Sequence, residues 1–233
     1  MSRFALYQGR DPRELPAYTV AEAARYVDVP AATLRSWFSG RTYPRVDGVG
    51  SFEPVLSPAD RGTGHLSFRN LVEAHVLRAL RTRHGIRLKT VRQALKTAGE
   101  RLGIADLLYR NRALLVADRS LFLEYYGELL HLDLSEQIAM RRVLEAFLAR
   151  VDWDDRDLPI RLYPFLRGTE SAGRAIVIDP QVSFGRPILA DSGISTSALV
   201  HRIDAGEGIE AVARDYDITP GDVEAAILFE KAA

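Results

Sequence analysis

The sequence predicts an α+β protein that is mainly α-helical. Three observations predict this class. Apolar residues recur at intervals of three and four near both ends of the chain, which is typical of amphipathic helices. The middle of the chain is rich in Leu, Phe and Tyr between turn signals, and this favours short strands. Hydrophobic residues make up 47% of the 233 residues, enough to bury a sizeable core.

The first pair of short helices is expected within residues 19–40. Thr19 with Glu22 three residues later is typical of a capping box, which satisfies two backbone donors at a helix start. Pro30 favours the first turn of the second helix. Apolar spacing predicts the buried faces of the pair: Val20, Ala23, Ala24, Val27, Leu34, Trp37 and Phe38.

A hairpin and two longer helices are predicted next. Residues 41–65 contain Gly, Pro and short apolar stretches, which favours a β-hairpin or an extended wing over a third helix. Apolar residues then recur at helical spacing from Ser67 to Gly85, and again from Leu88 to Gly103. The glycines mark the ends of these two helices.

The middle of the chain has a weaker pattern. Residues 113–134 include the turn candidates "ADRS" and "YYGE" and predict two or three strands. A helix is expected to start at Leu134-Ser135 and to carry an apolar stripe as far as Val151, before the acidic run "DWDDRD". The stretches "IRLYPF" and "RAIVIDP" predict two further strands.

The last 50 residues return to helical spacing. One helix is expected over 195–205, and a second short helix over Ile209, Val212 and Ala213. Thr219-Pro220 supplies a cap and a first-turn proline for a final helix. By its pattern this end of the chain is a second helix-turn-helix.

Charge divides the chain into two halves, although the net charge is zero. Residues 1–112 carry 19 Lys and Arg against 10 Asp and Glu, whereas residues 113–233 carry 12 against 21. A basic half suits a polyanion, because each phosphate contact releases bound counterions. An acidic half suits a basic partner, or serves only to keep the protein in solution.

The second helix of the first pair carries side chains that suit DNA. A helix-turn-helix sets its second helix in the major groove. Thr33 and Ser36 can bond bases or phosphates, and Arg35 can bind guanine or a phosphate with two donors. Arg41 and Arg45 follow within reach of the DNA backbone. A generic helix hairpin is the alternative interpretation of this segment alone.

The segment "TVAEAARYVDVPAATLRSW", with the stretch after it, resembles the DNA-binding domain of MerR-type winged-helix regulators over residues 18–103. The likeness lies in the Thr33–Trp37 step, the Phe68-Arg69 pair and the Gly85–Leu88 turn. The resemblance implies a winged helix-turn-helix domain over 1–112 and adds Arg69 to the expected DNA contacts. The wing is longer than usual, and no coiled-coil heptads follow Gly103.

The C-terminal stretch resembles the DUF433 family over residues 176–229. The matches are Ile178-Asp179-Pro180, Gly185–Ile188, Ala205-Gly206 and the Asp217–Val223 turn. This chain has Asp191-Ser192-Gly193-Ile194 where the family usually has Gly-Thr-Arg-Ile. The resemblance implies a helical module over 176–233, which leaves residues 113–175 as a small mixed α/β module that links domains or dimerises.

A chain with a MerR-like N-terminal part and a DUF433-like C-terminal part resembles the larger VapB-type antitoxins. They imply an antitoxin of a type II, VapBC-like system that neutralises a PIN-like ribonuclease toxin and represses its own operon. Two-fold operators match two-fold proteins, so a homodimer and a hetero-oligomer with the toxin are expected. An antitoxin of this type often inserts an arginine among the toxin's carboxylates, and the candidates are Arg156, Arg161, Arg167 and Arg174.

Two other functions remain open. One is a one-component MerR-like transcriptional regulator that senses a small ligand in a pocket of the middle module. The other is an interaction scaffold whose helix pairs bind only protein. The aromatic and apolar residues available for a ligand pocket, or equally for packing between strands, are Leu121, Phe122, Tyr125 and Tyr126.

The sequence contains no pattern typical of an enzyme. There is no cysteine, and the five histidines lack partners at metal-ligand spacing. Gly48 and Gly50 lack the strand, helix and lysine of a phosphate-binding loop. We therefore expect no catalytic residue, cofactor or metal. No apolar run reaches about 18 residues and the N-terminus is polar, so we expect a cytoplasmic protein without a membrane span.

Overall fold

The computed structural model describes residues 7–46, 48–82, 87–93, 96, 108–109, 142–166 and 173–231. Within these ranges the protein is α+β and dominated by helices, with three two-stranded antiparallel sheets. The predicted fold class is therefore confirmed. None of the helices in these ranges combines the length and the apolar character that crossing a membrane requires.

Helices α1 (Val20–Tyr26) and α2 (Ala31–Ser39) form the predicted first pair. The capping box is present: the Thr19 hydroxyl accepts from the Glu22 amide at 3.2 Å, and the Glu22 carboxylate accepts from the Thr19 amide at 2.8 Å. Pro30 precedes α2 as its N-cap, one position earlier than predicted. The predicted buried residues of α2 are at most 4% exposed: Leu34, Trp37 and Phe38.

The hairpin consists of β1 (Arg41–Arg45) and β2 (Gly48–Phe52), paired antiparallel. This confirms the hairpin expected at the start of residues 41–65. Two glycines set its shape. Gly40, with a φ of 69°, turns the chain out of α2, and a Cβ there would lie 2.4 Å from the Phe52 carbonyl oxygen. The Tyr43 ring lies over Gly50, where a Cβ would approach it to 2.5 Å.

Helix α3 (Phe68–Thr82) forms the centre of the core. Its inner face includes Leu71 and Leu77, both 0% exposed. Just before α3, Leu66 pairs with Tyr18 in an isolated β-bridge, which joins the segment after the hairpin to the residues that precede α1. Residues 88–93 are helical, as expected for the start of the fourth helix.

The middle of the chain differs from the prediction at one point. Residues 142–148 are helical, but Val151, which the helical stripe included, begins strand β3 (Val151–Trp153). It pairs with Leu162 of β4 (Pro159–Leu162), and this tertiary pairing outweighs the local helical spacing. The strands predicted over 113–134, and the pocket residues among them, lie outside the described residues.

The C-terminal region contains β5 (Ile176–Val177), β6 (Ile188–Leu189) and three helices. The helices are α4 (Thr196–Asp204), α5 (Ile209–Asp215) and α6 (Pro220–Lys231), at the predicted places. Strand β6 was not predicted, because it forms only by pairing with β5, which is distant in the sequence.

The first helix pair and the C-terminal region pack against each other. The rings of Tyr26 in α1 and Phe229 in α6 stack with centroids 5.8 Å apart, and Arg25 is ion-paired with Glu230. The Tyr18 hydroxyl donates to the Gly185 carbonyl oxygen at 3.0 Å. Burial raises the pKa of Tyr18, so the hydroxyl keeps its proton. One large hydrophobic cluster spans both regions. The division at 1–112, 113–175 and 176–233 stays a prediction.

Candidate nucleic-acid interface

The exposed face of α2 carries the predicted DNA-binding side chains. Leu34, Trp37 and Phe38 anchor the helix to the core, and this leaves Thr33, Arg35 and Ser36 on the outer side. Arg35 is exposed and makes no hydrogen bond or ion pair within the described part of the chain. Its guanidinium is therefore available for a ligand.

Ser36 has a more restricted role than its residue type suggests. Its hydroxyl donates to the Thr33 carbonyl oxygen at 2.7 Å, an intrahelical bond that a helical serine commonly forms. The hydroxyl oxygen can still accept, for example from a base amino group. It can donate to a phosphate only after this bond is broken.

A groove of about 560 Å³ opens beside α2. Its walls come from α2, the hairpin, the end of α3 and the helical residues 88–93. Among the described lining residues Glu53 is the only acidic one, whereas five are cationic. We call this surface the basic groove. Its cationic residues are Arg41, Arg81, Arg87, Lys89 and Arg92.

Arg41 and Arg92 of the basic groove are held by neighbouring groups. The Arg41 guanidinium carbon lies 5.0 Å from the centre of the Phe52 ring, a cation–π arrangement that steadies it. Arg92 donates through Nη2 to the Glu53 carbonyl oxygen. Its Nε–H is buried and has no acceptor among the described residues. Arg45 is the last residue of β1, beside the hairpin turn.

Arg69 is placed in a different environment from the other predicted DNA contacts. Its Nε donates to the Glu73 carboxylate at 3.1 Å, and its Nη1 lies 3.6 Å from a Glu14 carboxylate oxygen. The guanidinium also lies over the Tyr109 ring, 5.1 Å from its centre. Two carboxylates thus compensate its charge, and it does not line the basic groove. A DNA contact by Arg69 stays a prediction.

The basic groove contains cations beyond those predicted from the sequence. Arg87, Lys89 and Arg92 lie in the run "RLKTVRQALK", whose apolar stripe predicts only a helix. The density of Lys and Arg in that run is the signal that could have found them. Its position facing α2 has no sequence signal, because it depends on how the fourth helix packs.

Of the three predicted toxin-binding arginines in the described ranges, the structure brings two together, Arg161 and Arg174, which both lie at Asp152. Arg161 donates to Asp179 at 3.0 Å, and its Nη1 lies 4.0 Å from Asp152. Arg174 also pairs with Asp152, and its guanidinium lies 3.7 Å from the Tyr163 ring centre. Arg156 is exposed in the turn between β3 and β4 and has no side-chain partner in the described ranges. The fourth candidate, Arg167, lies outside them.

The second helix pair, α5 and α6, exposes the opposite charge. Asp222 lies in the first turn of α6, and Glu224 is exposed one position beyond Val223. Carboxylates at the start of a helix stabilise it by interacting with the positive end of the helix dipole, but they repel phosphates. Further exposed carboxylates surround this pair: Glu210 and Asp217, together with Glu207 and Asp215, which are ion-paired with Arg202.

The described ranges contain no candidate metal site. No three His, Asp or Glu side chains come together there as metal ligands. His75 of α3 is 1% exposed, and burial lowers its pKa to about 4. Its Nε2 lies 3.0 Å from the Phe147 carbonyl oxygen, so it is a satisfied core residue.

Comparison with known families defines the class of the protein. Residues 16–95 match the model of a "putative DNA-binding HTH domain", and residues 176–229 match DUF433, a family of unknown function. The chain therefore combines an N-terminal domain of the helix-turn-helix type with a C-terminal DUF433 domain. This confirms both regions identified from the sequence. The finer likeness to MerR-type regulators stays a prediction.

Two proteins of Mycobacterium tuberculosis are similar to almost the whole chain. One, named "Putative antitoxin VapB45", is 29% identical over 92% of this chain and 93% of its own length. Another, "Uncharacterized protein Rv2308", is 25% identical over 92% of this chain and 90% of its own. The crystal structure of Rv2018 from the same organism has the same fold, with a TM-score of 0.64, 24% identity and coverage of 91% of this chain and 98% of the other.

Proposed function

We propose that this protein is a DNA-binding antitoxin of a type II, VapBC-like system. It represses its own operon through the first helix pair and neutralises a PIN-like ribonuclease toxin. Similarity to a protein named as a VapB antitoxin over 92% of the chain supports the antitoxin role. The match of residues 16–95 supports DNA binding. The chain itself carries out no catalytic step and acts as a homodimer.

The observation that carries the DNA-binding role is the exposure of Arg35 on α2, the helix whose Thr33 and Ser36 line the basic groove. A helix that enters the major groove reads bases through side chains on its outer face, and arginine bonds guanine O6 and N7 with two donors. The groove next to it supplies the positive field that draws DNA to the helix.

The opposite charge of the second helix pair supports a protein partner for the C-terminal region. A ribonuclease that grips RNA is basic near its active site, and acidic surfaces are complementary to it. The carboxylates around α5 and α6 therefore favour the toxin over DNA. Among the candidates in the described ranges, Arg156, exposed between β3 and β4, can enter the toxin's active site without losing an internal partner.

DNA binding is tested with the wild-type protein and the promoter fragment of its own operon. Fluorescence anisotropy should show binding that is stronger than to random DNA. Arg35→Ala should weaken operator binding by about 1–3 kcal/mol and relax specificity at one base position. Equal losses on operator and random DNA would make Arg35 a phosphate contact. Absence of binding in dilute buffer, with the toxin supplied, would refute the DNA-binding role.

Toxin neutralisation is tested by co-expression with the product of the adjacent reading frame. Size-exclusion chromatography should show a stable complex, and the ribonuclease activity of the toxin should fall to background in that complex. Arg156→Ala should keep the complex but restore part of the ribonuclease activity, because the active-site insertion is removed while the remaining interface persists. An adjacent frame that encodes no ribonuclease would contradict the proposal.

A further inference from the structure

The basic groove and helix α2 differ in shape, and the difference bears on what each can contact. Helix α2 is a convex element whose outer face carries Arg35. A convex helix can enter the major groove of DNA. The basic groove is concave, so it cannot enter a groove of the duplex. It can receive only a ridge, and the ridge that borders the major groove is the sugar–phosphate backbone.

The chemistry of the groove walls also favours phosphate over bases. Arg41 lies on the hairpin wall, and Arg87, Lys89 and Arg92 lie on the facing wall. Lysine binds phosphate as a compact point charge, and arginine binds it with two donors. Base reading depends instead on planar, directional contacts to base edges, whereas Arg41, Arg87 and Lys89 are exposed around the groove and can each reach a phosphate that lies in it.

Arg92 gives an independent observation. Its Nη2 is fixed by the Glu53 carbonyl oxygen, and its Nε–H is buried without an acceptor among the described residues. Native proteins rarely keep a buried donor unsatisfied. An anionic oxygen seated in the groove would supply the missing acceptor after a small shift of the side chain.

We propose that the basic groove seats the backbone of the duplex whose bases α2 contacts, with phosphates held by Arg41, Arg87, Lys89 and Arg92. This inference rests on the proposed DNA-binding function and assigns it a second site. The groove fixes the position of the helix on DNA and carries no sequence information, whereas Arg35 discriminates between sequences.

The test uses full-length protein with single substitutions Lys89→Gln and Arg92→Gln. Binding to the operator fragment and to a scrambled duplex of equal length is measured over a range of salt concentrations. Each substitution should weaken binding by the same factor on both duplexes. Each should also make the plot of log K against log salt shallower by about 1 for every phosphate that the variant no longer binds. Circular dichroism melting checks that each variant is folded.

Two further variants serve as controls of opposite kinds. Arg61→Gln removes the same charge from an exposed loop residue that does not line the groove, and it should leave the salt slope unchanged. Glu53→Gln removes the acidic residue of the groove and should tighten binding to both duplexes. Equal effects of Arg61→Gln and Lys89→Gln would overturn the proposal, since they would indicate a general charge effect.

The outcomes separate this inference from the proposed function. If the wild-type protein binds no DNA, the proposed function fails. The second case is that the wild-type protein binds DNA, that Arg35→Ala reduces discrimination between sequences, and that the groove variants keep the wild-type salt slope. In that case only the groove assignment fails. Tighter binding of single-stranded RNA of the same length, abolished in the same groove variants, would overturn the assignment to duplex DNA.

Discussion

The two helix pairs of this protein have similar dimensions and opposite surfaces. In each, a seven-residue helix, α1 or α5, precedes a longer one of nine or twelve residues, α2 or α6. The first pair exposes Arg35 on α2, whose Thr33 and Ser36 line the basic groove, whereas the second exposes Glu224 among other carboxylates. Under the proposed function, two helix pairs of similar dimensions serve different partners, and the surface charge rather than the helix arrangement selects between DNA and protein.

The two pairs are nevertheless not mechanically separate. Tyr26 of the first pair stacks on Phe229 of the second, and Glu22 is ion-paired with Arg186. A partner that displaces α6 therefore disturbs α1, which supports α2. We expect the pairs to share one stability and to keep separate binding functions, and substitutions in each pair can test both expectations.

Phe229→Ala should have the largest effect. The side chain is 3% exposed and packs on Tyr26, so its removal leaves a cavity between the pairs and costs about 3–5 kcal/mol. Urea unfolding followed by circular dichroism measures this loss. Its matched control is the neighbouring Leu228→Ala, a residue that is 50% exposed and should change stability by about 0.5 kcal/mol at most.

The shared core also predicts that the two helix pairs unfold in one transition. Intrinsic fluorescence of Trp37 in α2 should then change at the same urea concentration as the helical circular dichroism signal. Trp153→Phe removes the other tryptophan, so that the fluorescence reports Trp37 alone. Separate transitions at the two probes would contradict the single core, because coincident transitions are the test of two-state unfolding.

Acid should destabilise the protein through His75. The ring lies between Phe147 and Phe165, with Arg78 and Arg150 near it. Its folded pKa of about 4 lies below the ordinary histidine pKa of 6.5. The unfolded chain therefore binds the proton first, and stability falls as the pH drops from about 6.5 to about 4, by about 3 kcal/mol.

The His75 prediction is tested by measuring urea unfolding midpoints between about pH 7.5 and about pH 4, a range that includes both the unfolded and the folded pKa of the histidine. His75→Phe should show a flatter pH dependence in that window, whatever its stability at neutral pH. An unchanged slope in the variant would assign the acid sensitivity to carboxylates instead.

Arg214→Ala tests the division of binding functions directly. Arg214 is an exposed arginine of α5 in the acidic pair, whereas Arg35 is an exposed arginine of α2 in the basic pair. Its removal should leave operator affinity within experimental error, whereas Arg35→Ala loses about 1–3 kcal/mol. A comparable loss in both variants would mean that the acidic pair also contacts DNA.

Local patterns made much of the fold predictable. The capping box at Thr19, the buried face of α2 and the first-turn proline of α6 depend only on residues within one or two turns of each other. The hairpin after Gly40 was predictable for the same reason. Arg35 could be selected because an outward polar position on a short anchored helix follows from the apolar spacing around it.

Features that depend on tertiary pairing were not predictable. Val151 fits a helical stripe, and only its pairing with Leu162 makes it part of a strand. The second wall of the basic groove is formed by a helix whose packing no local pattern specifies. For Arg69 a signal did exist, since Glu73 lies four residues later and suits an ion pair on one helix face.

The two threonine caps provide the prediction with the smallest effect. Thr19 caps α1 with Glu22 as its partner, and Thr219 caps α6 with Asp222 in the same arrangement. Replacing either threonine by alanine should cost about 1 kcal/mol. Thr19→Ala should cost slightly more, because Glu22 also pairs with Arg186 across the two regions and loses its positioning partner.

This difference between the caps should depend on salt. The Arg186 side chain is 49% exposed, and exposed ion pairs contribute only about 0–1 kcal/mol and are screened by salt. Urea unfolding of both variants at low and high salt concentration measures it. At high salt the two costs should become equal. A larger cost for Thr219→Ala at low salt would show that the Glu22–Arg186 pair does not couple α1 to the C-terminal region.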